Sequence, residues 1–211
     1  HGFGGWREVE AYRWKNPDGS RGGIVATSAV VHESVTLPES VEVWPGARIA
    51  ENASIGSGTS IGSRTSIGSD TSIGSDTSIG SDTSIGDGTS IGNGTRIGSL
   101  TSIGSDTSIG SGTSIGDGTS IEADDWLFVA GPQGSRNAFA TVVYSKKYGL
   151  RWWIGCQHGI NTETLRDRVT RAHKGNPEYR DDYLYLIEIV EAHPGLKRAM
   201  AASETQKEAA E

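Results

Sequence analysis

The chain has 211 residues, with 30 glycines, three phenylalanines and one cysteine, and its formal net charge is −7. So few aromatic residues exclude an ordinary packed globule, the single cysteine excludes a disulfide framework, and the acidic balance argues against nucleic acid as a partner. No segment approaches the roughly 20 apolar residues that span a bilayer, so we expect a soluble protein with no membrane partner, cytoplasmic if expressed recombinantly.

The N-terminal residues are predicted to comprise a tag remnant and a cap. Residues 1–5 resemble the remnant of an expression tag and carry no functional information. Residues 6–14 alternate as a β-strand does, and the following NPDGSRGG is typical of a turn. We therefore predict a β-hairpin cap over residues 6–24.

The central segment repeats with a period of six. A helix needs apolar spacing near 3.6 and a strand spacing near 2, so this period indicates a short strand followed by a corner. The same phase extends back to Val25 and forward to Leu127, which places the repeat at residues 25–128. We predict that the recurring isoleucines form one buried structural stack, made of Ile55, Ile61, Ile67, Ile73, Ile79, Ile85, Ile91, Ile97, Ile103, Ile109, Ile115 and Ile121.

Strand alternation predicts which side chains face inward. Thr59 and Ile61 should point to the core together, while Ser60 between them points outward. The outward row of serines argues against an ice-binding threonine face. The Ser-Asp and Asp-Gly pairs that follow each glycine suit tight corners, so we interpret residues such as Asp70 and Asp76 as corner residues rather than calcium ligands.

The unit of an aliphatic residue, Gly, two variable residues and a small residue resembles the hexapeptide signature of the left-handed parallel β-helix family. The resemblance covers about half of the chain and implies triangular coils of three hexads, hence about six coils. It also implies the left-handed sense, and self-association as a trimer is an option because the family forms trimers. The expected fold class is an all-β solenoid with an N-terminal hairpin cap and a small C-terminal α+β cap.

The C-terminal part is predicted to be a ββαα domain over residues 129–195. Two strands are expected near 137–145 and 149–156. Asn161 and then Asn176-Pro177 each open a helix, and Pro194-Gly195 ends the second one. Residues 196–211 should form a helical or frayed tail. GPQGSRN and YGLRWWIGC are similar to a domain of uncharacterised phage and bacterial hexapeptide-repeat proteins, with no known activity.

The resemblance makes the coils the first place to expect catalytic residues. Many members of the resembled family are acyltransferases with a catalytic histidine on a coil, and others resemble γ-class carbonic anhydrases, which hold zinc with three histidines. Here no histidine lies between His32 and His158. The coils therefore lack both the general base and the metal ligands, and we expect no metal and no cofactor.

We interpret the remaining candidate residues as structural. His32 is expected at the surface, and His158, His173 and His193 as dispersed cap residues. Cys156 follows an aromatic strand and is expected to be a small buried hydrophobic residue.

Two further local features stand out. The backbone amides of the GPQGSRN loop, which contains Arg136, could form an anion-binding nest. A tight capping loop is the simpler interpretation. Arg64, Asp82 and Leu100 should stack on one corner with an exposed Arg64–Asp82 ion pair. Arg96 and Leu100 interrupt the repeat without an evident reason.

From these observations we predict a non-catalytic structural scaffold that is not an enzyme. The near-identity of the hexads favours an engineered or consensus-repeat protein, with no catalytic residues and no required partner. Two alternatives stay open: an acyltransferase-like hexapeptide-repeat enzyme, and a phage-derived surface or carbohydrate-binding module.

Overall fold

The structure is a computed structural model that describes residues 9–133 and 138–208. The predicted tag remnant at residues 1–5 lies outside these ranges. The chain divides into two compact units, one ending at Thr113 and one beginning at Ser114. Each unit is described by itself.

The first unit opens with a β-hairpin. Strand β1 (Ala11–Lys15) runs antiparallel to β2 (Arg21–Ala26), with Tyr12 opposite Val25. The buried side chain of Asn16 ties the hairpin down, because its Oδ1 accepts from the Leu37 amide at 2.9 Å and its Nδ2 donates to the Leu37 carbonyl at 3.2 Å. The amide therefore satisfies two backbone groups inside the cap.

Two-residue strands then recur at the hexads. They are β3 (Val30–Val31), β4 (Glu42–Val43), β5 (Arg48–Ile49), β6 (Ser54–Ile55), β7 (Ser60–Ile61), β8 (Ser66–Ile67), β9 (Ser72–Ile73), β10 (Ser78–Ile79), β11 (Ser84–Ile85), β12 (Ser90–Ile91), β13 (Arg96–Ile97), β14 (Ser102–Ile103) and β15 (Ser108–Ile109).

These strands form three sheets, and within the repeat the pairing is parallel. In the first unit the orders are β1-β2-β4-β7-β10-β13, β14-β11-β8-β5-β3 and β15-β12-β9-β6. Each strand pairs with the strand three hexads away, as Ile79 does with Ile61. The arrangement is a left-handed β-helix of about 5 turns, close to the six expected, and it confirms the predicted fold class.

The core consists of one aliphatic layer and one threonine layer. The twelve isoleucines of the repeat are 0 to 5% exposed. Burying each isoleucine contributes roughly 1.5 to 3 kcal/mol. The inward threonines keep their hydroxyls bonded, as Thr65 does by donating to the Gly80 carbonyl at 2.8 Å. Polar side chains are therefore accommodated inside the coil without an unpaired hydroxyl.

The corners explain the glycine and aspartate positions of the hexad. Corner residues such as Asp70, Asp76 and Gly58 have φ values of 57°, 57° and 72°. This left-handed region favours glycine, asparagine and aspartate. The glycines that follow the isoleucines from Ile55 to Ile91 have a different reason, because a Cβ there would clash with the next turn; on Gly56 it would lie 2.3 Å from the Ser75 amide nitrogen.

The second unit begins with the last two hexads, β16 (Ser114–Ile115) and β17 (Ser120–Ile121), and continues into an antiparallel sheet. Its four strands are β18 (Trp126–Gln133), β19 (Ala138–Ser145), β20 (Gly149–Ile154) and β21 (Gln157–Ile160). Leu127, expected as a further hexad, instead lies in β18 opposite Val143. The last hexad of the repeat is therefore that of Ile121.

Three helices cover one face of this sheet: α1 (Thr162–Ala172), α2 (Pro177–Ala192) and α3 (Pro194–Glu208). Asn161 caps α1 as predicted, with Oδ1 accepting from the Thr164 amide at 2.8 Å. Pro194 begins a third helix instead of only ending the second, which suits proline in a first turn. The four-stranded sheet thus exceeds the expected ββαα by two strands, while α3 is the helical one of the two forms expected for the tail at residues 196–211. No helix of the described ranges is long and apolar enough to cross a membrane.

Candidate functional site

Strand β21 carries His158 to a corner of the last hexads. Its Nδ1 lies 3.1 Å from the carbonyl oxygen of Asp117, which is 41 residues earlier in the chain. A carbonyl oxygen only accepts hydrogen bonds, so the contact requires the proton on Nδ1. In the neutral ring Nε2 then has a free lone pair and can accept a proton from a bound molecule.

A cavity of about 240 Å³ lies beside this imidazole, and we call it the His158 cavity. His158 itself is exposed, so a substrate can reach the ring. Phe139 and Trp153 supply apolar walls, and Gln157 supplies an amide. The other lining residues are Ser114, Gly116, Asp117, Ile154 and Gly155.

Two hydrogen-bonded side chains fix the walls of the His158 cavity. Trp153 donates from Nε1 to the Gly118 carbonyl at 3.1 Å. The buried Thr141 accepts from the Gly116 amide at 3.0 Å and donates to the Ser114 carbonyl at 3.3 Å. These bonds join the sheet to the hexads that line the cavity, and they therefore hold His158 in position relative to Asp117.

The other histidines have local structural roles. His32 is exposed, and its Nδ1 lies 2.9 Å from the hydroxyl of Ser34. His193 accepts from the Gly195 amide at 3.0 Å and packs against Trp126. His173 ends α1 and stacks on Tyr183 with ring centroids 5.4 Å apart.

The structure also bears on Cys156, on Arg136 in the GPQGSRN loop and on the expected absence of a metal site. Cys156 is exposed, which corrects the expectation that it is buried: it lies in the turn after β20 rather than in the strand. Arg136 lies outside the described residues, as does part of the GPQGSRN loop. Among the described residues, no group of three His, Cys, Asp or Glu side chains could hold a metal ion.

The repeat matches a known family model, described as bacterial transferase hexapeptide (six repeats), at residues 64–99 and 88–123. The chain carries a left-handed β-helix of the hexapeptide-repeat family. No curated protein matches the chain significantly.

Two solved structures illustrate what this hexapeptide-repeat chain is similar to. A mutant perosamine N-acetyltransferase from Caulobacter crescentus, in complex with CoA and GDP-perosamine, is 26% identical, with a TM-score of 0.44. The match covers 47% of this chain and 50% of that one, so this chain spans about half of its relative's length. A mutant of AntD, an N-acyltransferase from Bacillus cereus in complex with dTDP and coenzyme A, is 12% identical, covers 71% and 88% of the two chains, and has a TM-score of 0.26.

The family match corrects two predictions. We predicted a non-catalytic structural scaffold that is not an enzyme. Both predictions are wrong, because the repeat matches a family model that describes the hexapeptide repeat of bacterial transferases. The error has a structural reason. The sequence interpretation treats His158 as one of several dispersed cap residues, whereas β21 brings it to the Asp117 corner. The spacing of residues along the chain contains no signal for that contact.

Proposed function

We propose that this chain is an acyltransferase in which His158 is the general base. The observation that carries the proposal is the hydrogen bond of His158 Nδ1 to the Asp117 carbonyl, within a solenoid of the transferase hexapeptide type. This bond sets the tautomer and leaves Nε2 as the acceptor. Imidazole exchanges protons near neutral pH, which suits it to this role.

The proposed reaction transfers an acyl group from a thioester, such as an acyl-CoA, to an amine. The amine nitrogen attacks the thioester carbonyl carbon, and His158 Nε2 takes the proton from the nitrogen. The C–N bond forms and the C–S bond breaks. The proton then passes from Nε2 to the departing thiolate, so that an amide and a thiol leave a neutral histidine. The exposed ring and the apolar walls of Phe139 and Trp153 would place the amine near Nε2.

The test compares His158→Gln with wild type in acetyl transfer from acetyl-CoA to a panel of amines, including amino-sugar nucleotides. Glutamine cannot act as a base, and His158 is exposed, so kcat should fall by about 10²- to 10⁴-fold with the fold intact. His32→Ala is the matched control, because His32 is an exposed histidine of the other unit. An unchanged kcat in His158→Gln would refute the assignment.

Self-association as a trimer also stays a proposal, supported by the family resemblance alone. Light scattering at several concentrations tests it against the 22.3 kDa mass of one chain. A mass three times larger would support the trimer, and a mass equal to one chain at every concentration would exclude it.

A further inference from the structure

A second groove lies on the C-terminal unit, along α1. It has a volume of about 660 Å³ and runs between α1 and the residues that follow β20. We call it the α1 groove. Its size falls within the range of small-molecule sites, about 300 to 1,000 Å³. Ile154, Gly155 and Gln157 line both this groove and the His158 cavity.

The wall formed by α1 is cationic. Arg168 and Arg171 are three residues apart on the helix, so they lie on the same face, and His173 ends that helix. Of the described residues, those that line the groove include neither Asp nor Glu. This wall is unusual in a chain whose net charge is −7.

The two arginines differ in how far their charge is compensated. Arg171 pairs with the carboxylate of Asp167 on the same helix. Arg168 donates from Nη1 to the amide oxygen of Gln157, a neutral partner. The guanidinium of Arg168 therefore keeps its charge for a ligand, and its planar fork matches phosphate geometry.

The floor of the groove is apolar and includes a planar face. Leu165, Val169 and Ile154 are 2 to 6% exposed and form the base. The half-buried ring of His173 stacks on Tyr183 with an interplanar angle of 20°. A ligand with a phosphate at one end and an apolar or planar body can satisfy both parts of the groove.

We propose that the α1 groove binds a phosphorylated small molecule, with its phosphate on Arg168 and Arg171. The body of the ligand lies over Leu165 and Val169, with a planar group against His173. The proposal does not depend on acyl transfer, because it concerns residues other than His158. The phosphate can belong to a free nucleotide or to the CoA part of an acyl donor, and the test separates these two sources.

The first test is calorimetric titration of the whole chain with ADP and, separately, with acetyl-CoA. Saturable binding of either probe with a dissociation constant in the millimolar range or tighter is expected. Arg168→Gln should weaken it at least about tenfold, because a charge-assisted hydrogen bond is lost and no carboxylate loses its partner. Arg168→Lys keeps the charge but not the fork, so its loss should be smaller. Arg198→Gln, an exposed arginine on α3, is the control and should bind as wild type does.

A second readout uses wild-type protein and needs no variant. Cys156 lines the α1 groove and is exposed, so iodoacetamide should alkylate it. A probe at ten times its dissociation constant leaves only about a tenth of the sites empty, so alkylation should slow up to about tenfold. Protection by ADP assigns the groove to a nucleotide, and protection by acetyl-CoA alone assigns it to the acyl donor. If neither probe binds, or if Arg168→Gln binds as tightly as wild type and Cys156 stays unprotected, the proposal is overturned.

Discussion

The guanidinium of Arg64 holds both carboxylate oxygens of Asp82, with Nε 2.6 Å from Oδ1 and Nη2 2.6 Å from Oδ2. The two residues are 18 apart, so they occupy equivalent corners of successive turns. Both have φ in the left-handed region, at 56° and 58°. The predicted corner ion pair is therefore present and bidentate.

This pair makes stability depend on pH. Hydrogen bonding by Arg64 is the main cause that lowers the pKa of Asp82 below its usual 3.8. A lowered folded-state pKa contributes stability above 3.8 that is lost as pH falls through the lower value. Asp82→Asn should therefore melt below wild type at neutral pH, with a difference that shrinks in high salt and disappears in strong acid.

Thermal melts across the acid range measure this effect, and Asp76→Asn is the control. Asp76 has a corner φ of 57°, and asparagine tolerates this conformation as aspartate does. The two variants differ because only Asp82→Asn removes the ion pair with Arg64. Equal melting shifts for both would show that the ion pair adds nothing.

Leu100 is predicted to destabilise the solenoid. Its φ of 59° is costly for a residue with a bulky side chain, and 68% of the residue is exposed. Nothing in the structure explains leucine there. Leu100→Asn should raise the free energy of unfolding by about 1 kcal/mol, because asparagine suits the left-handed region. Denaturant unfolding measures the change, and Asp106→Asn is the control at another corner. A lower free energy of unfolding in Leu100→Asn would contradict the prediction that Leu100 strains the backbone.

The isoleucine stack should carry much of the stability. Ile79 is 3% exposed and lies between Ile61 and Ile97 in the sheet. Ile79→Ala should cost about 2 to 5 kcal/mol, from lost burial and the cavity left behind. The adjacent Ser78 is exposed, so Ser78→Ala should stay within about 0.5 kcal/mol. Similar costs for both substitutions, in denaturant unfolding, would rule out a packed aliphatic column.

The solenoid should tolerate the loss of one whole turn. Ser84 pairs in register with Ser66, so deletion of residues 67–84 joins equivalent strands. The shortened chain should unfold cooperatively with a smaller denaturant m-value, because less surface is exposed on unfolding. Deleting residues 67–75 is the control, since one and a half hexads put a strand where a corner belongs. Non-cooperative unfolding of the longer deletion would refute modular stacking.

The solenoid could be predicted because its physics is local. Each hexad has the same pattern, with isoleucine inward, serine outward and a residue tolerant of positive φ at the corner. An error in the assigned register would therefore place the wrong side chains inward in every later hexad. The end of the repeat was harder to predict. Leu127 keeps the six-residue phase, yet its pairing with Val143 in β18 depends on a strand that comes later in the sequence.

The candidate site could not be predicted for a similar reason. His158 and Asp117 meet because an antiparallel sheet folds back on the last hexads, and the contact is to a backbone carbonyl, which any residue provides. Arg168 and Arg171 were visible in the sequence as charges on a helix. Their placement over Leu165 in a groove depends on how α1 packs on the sheet.

The proposed acyl transfer depends on His158 presenting an unprotonated Nε2 to a substrate. Imidazole ¹⁵N resonances of His158 in the wild-type protein measure this directly, at a pH where the ring is neutral. We predict that Nδ1 carries the proton and donates it to the Asp117 carbonyl. A proton on Nε2 instead would leave no lone pair for the substrate and would contradict the proposed acyl transfer.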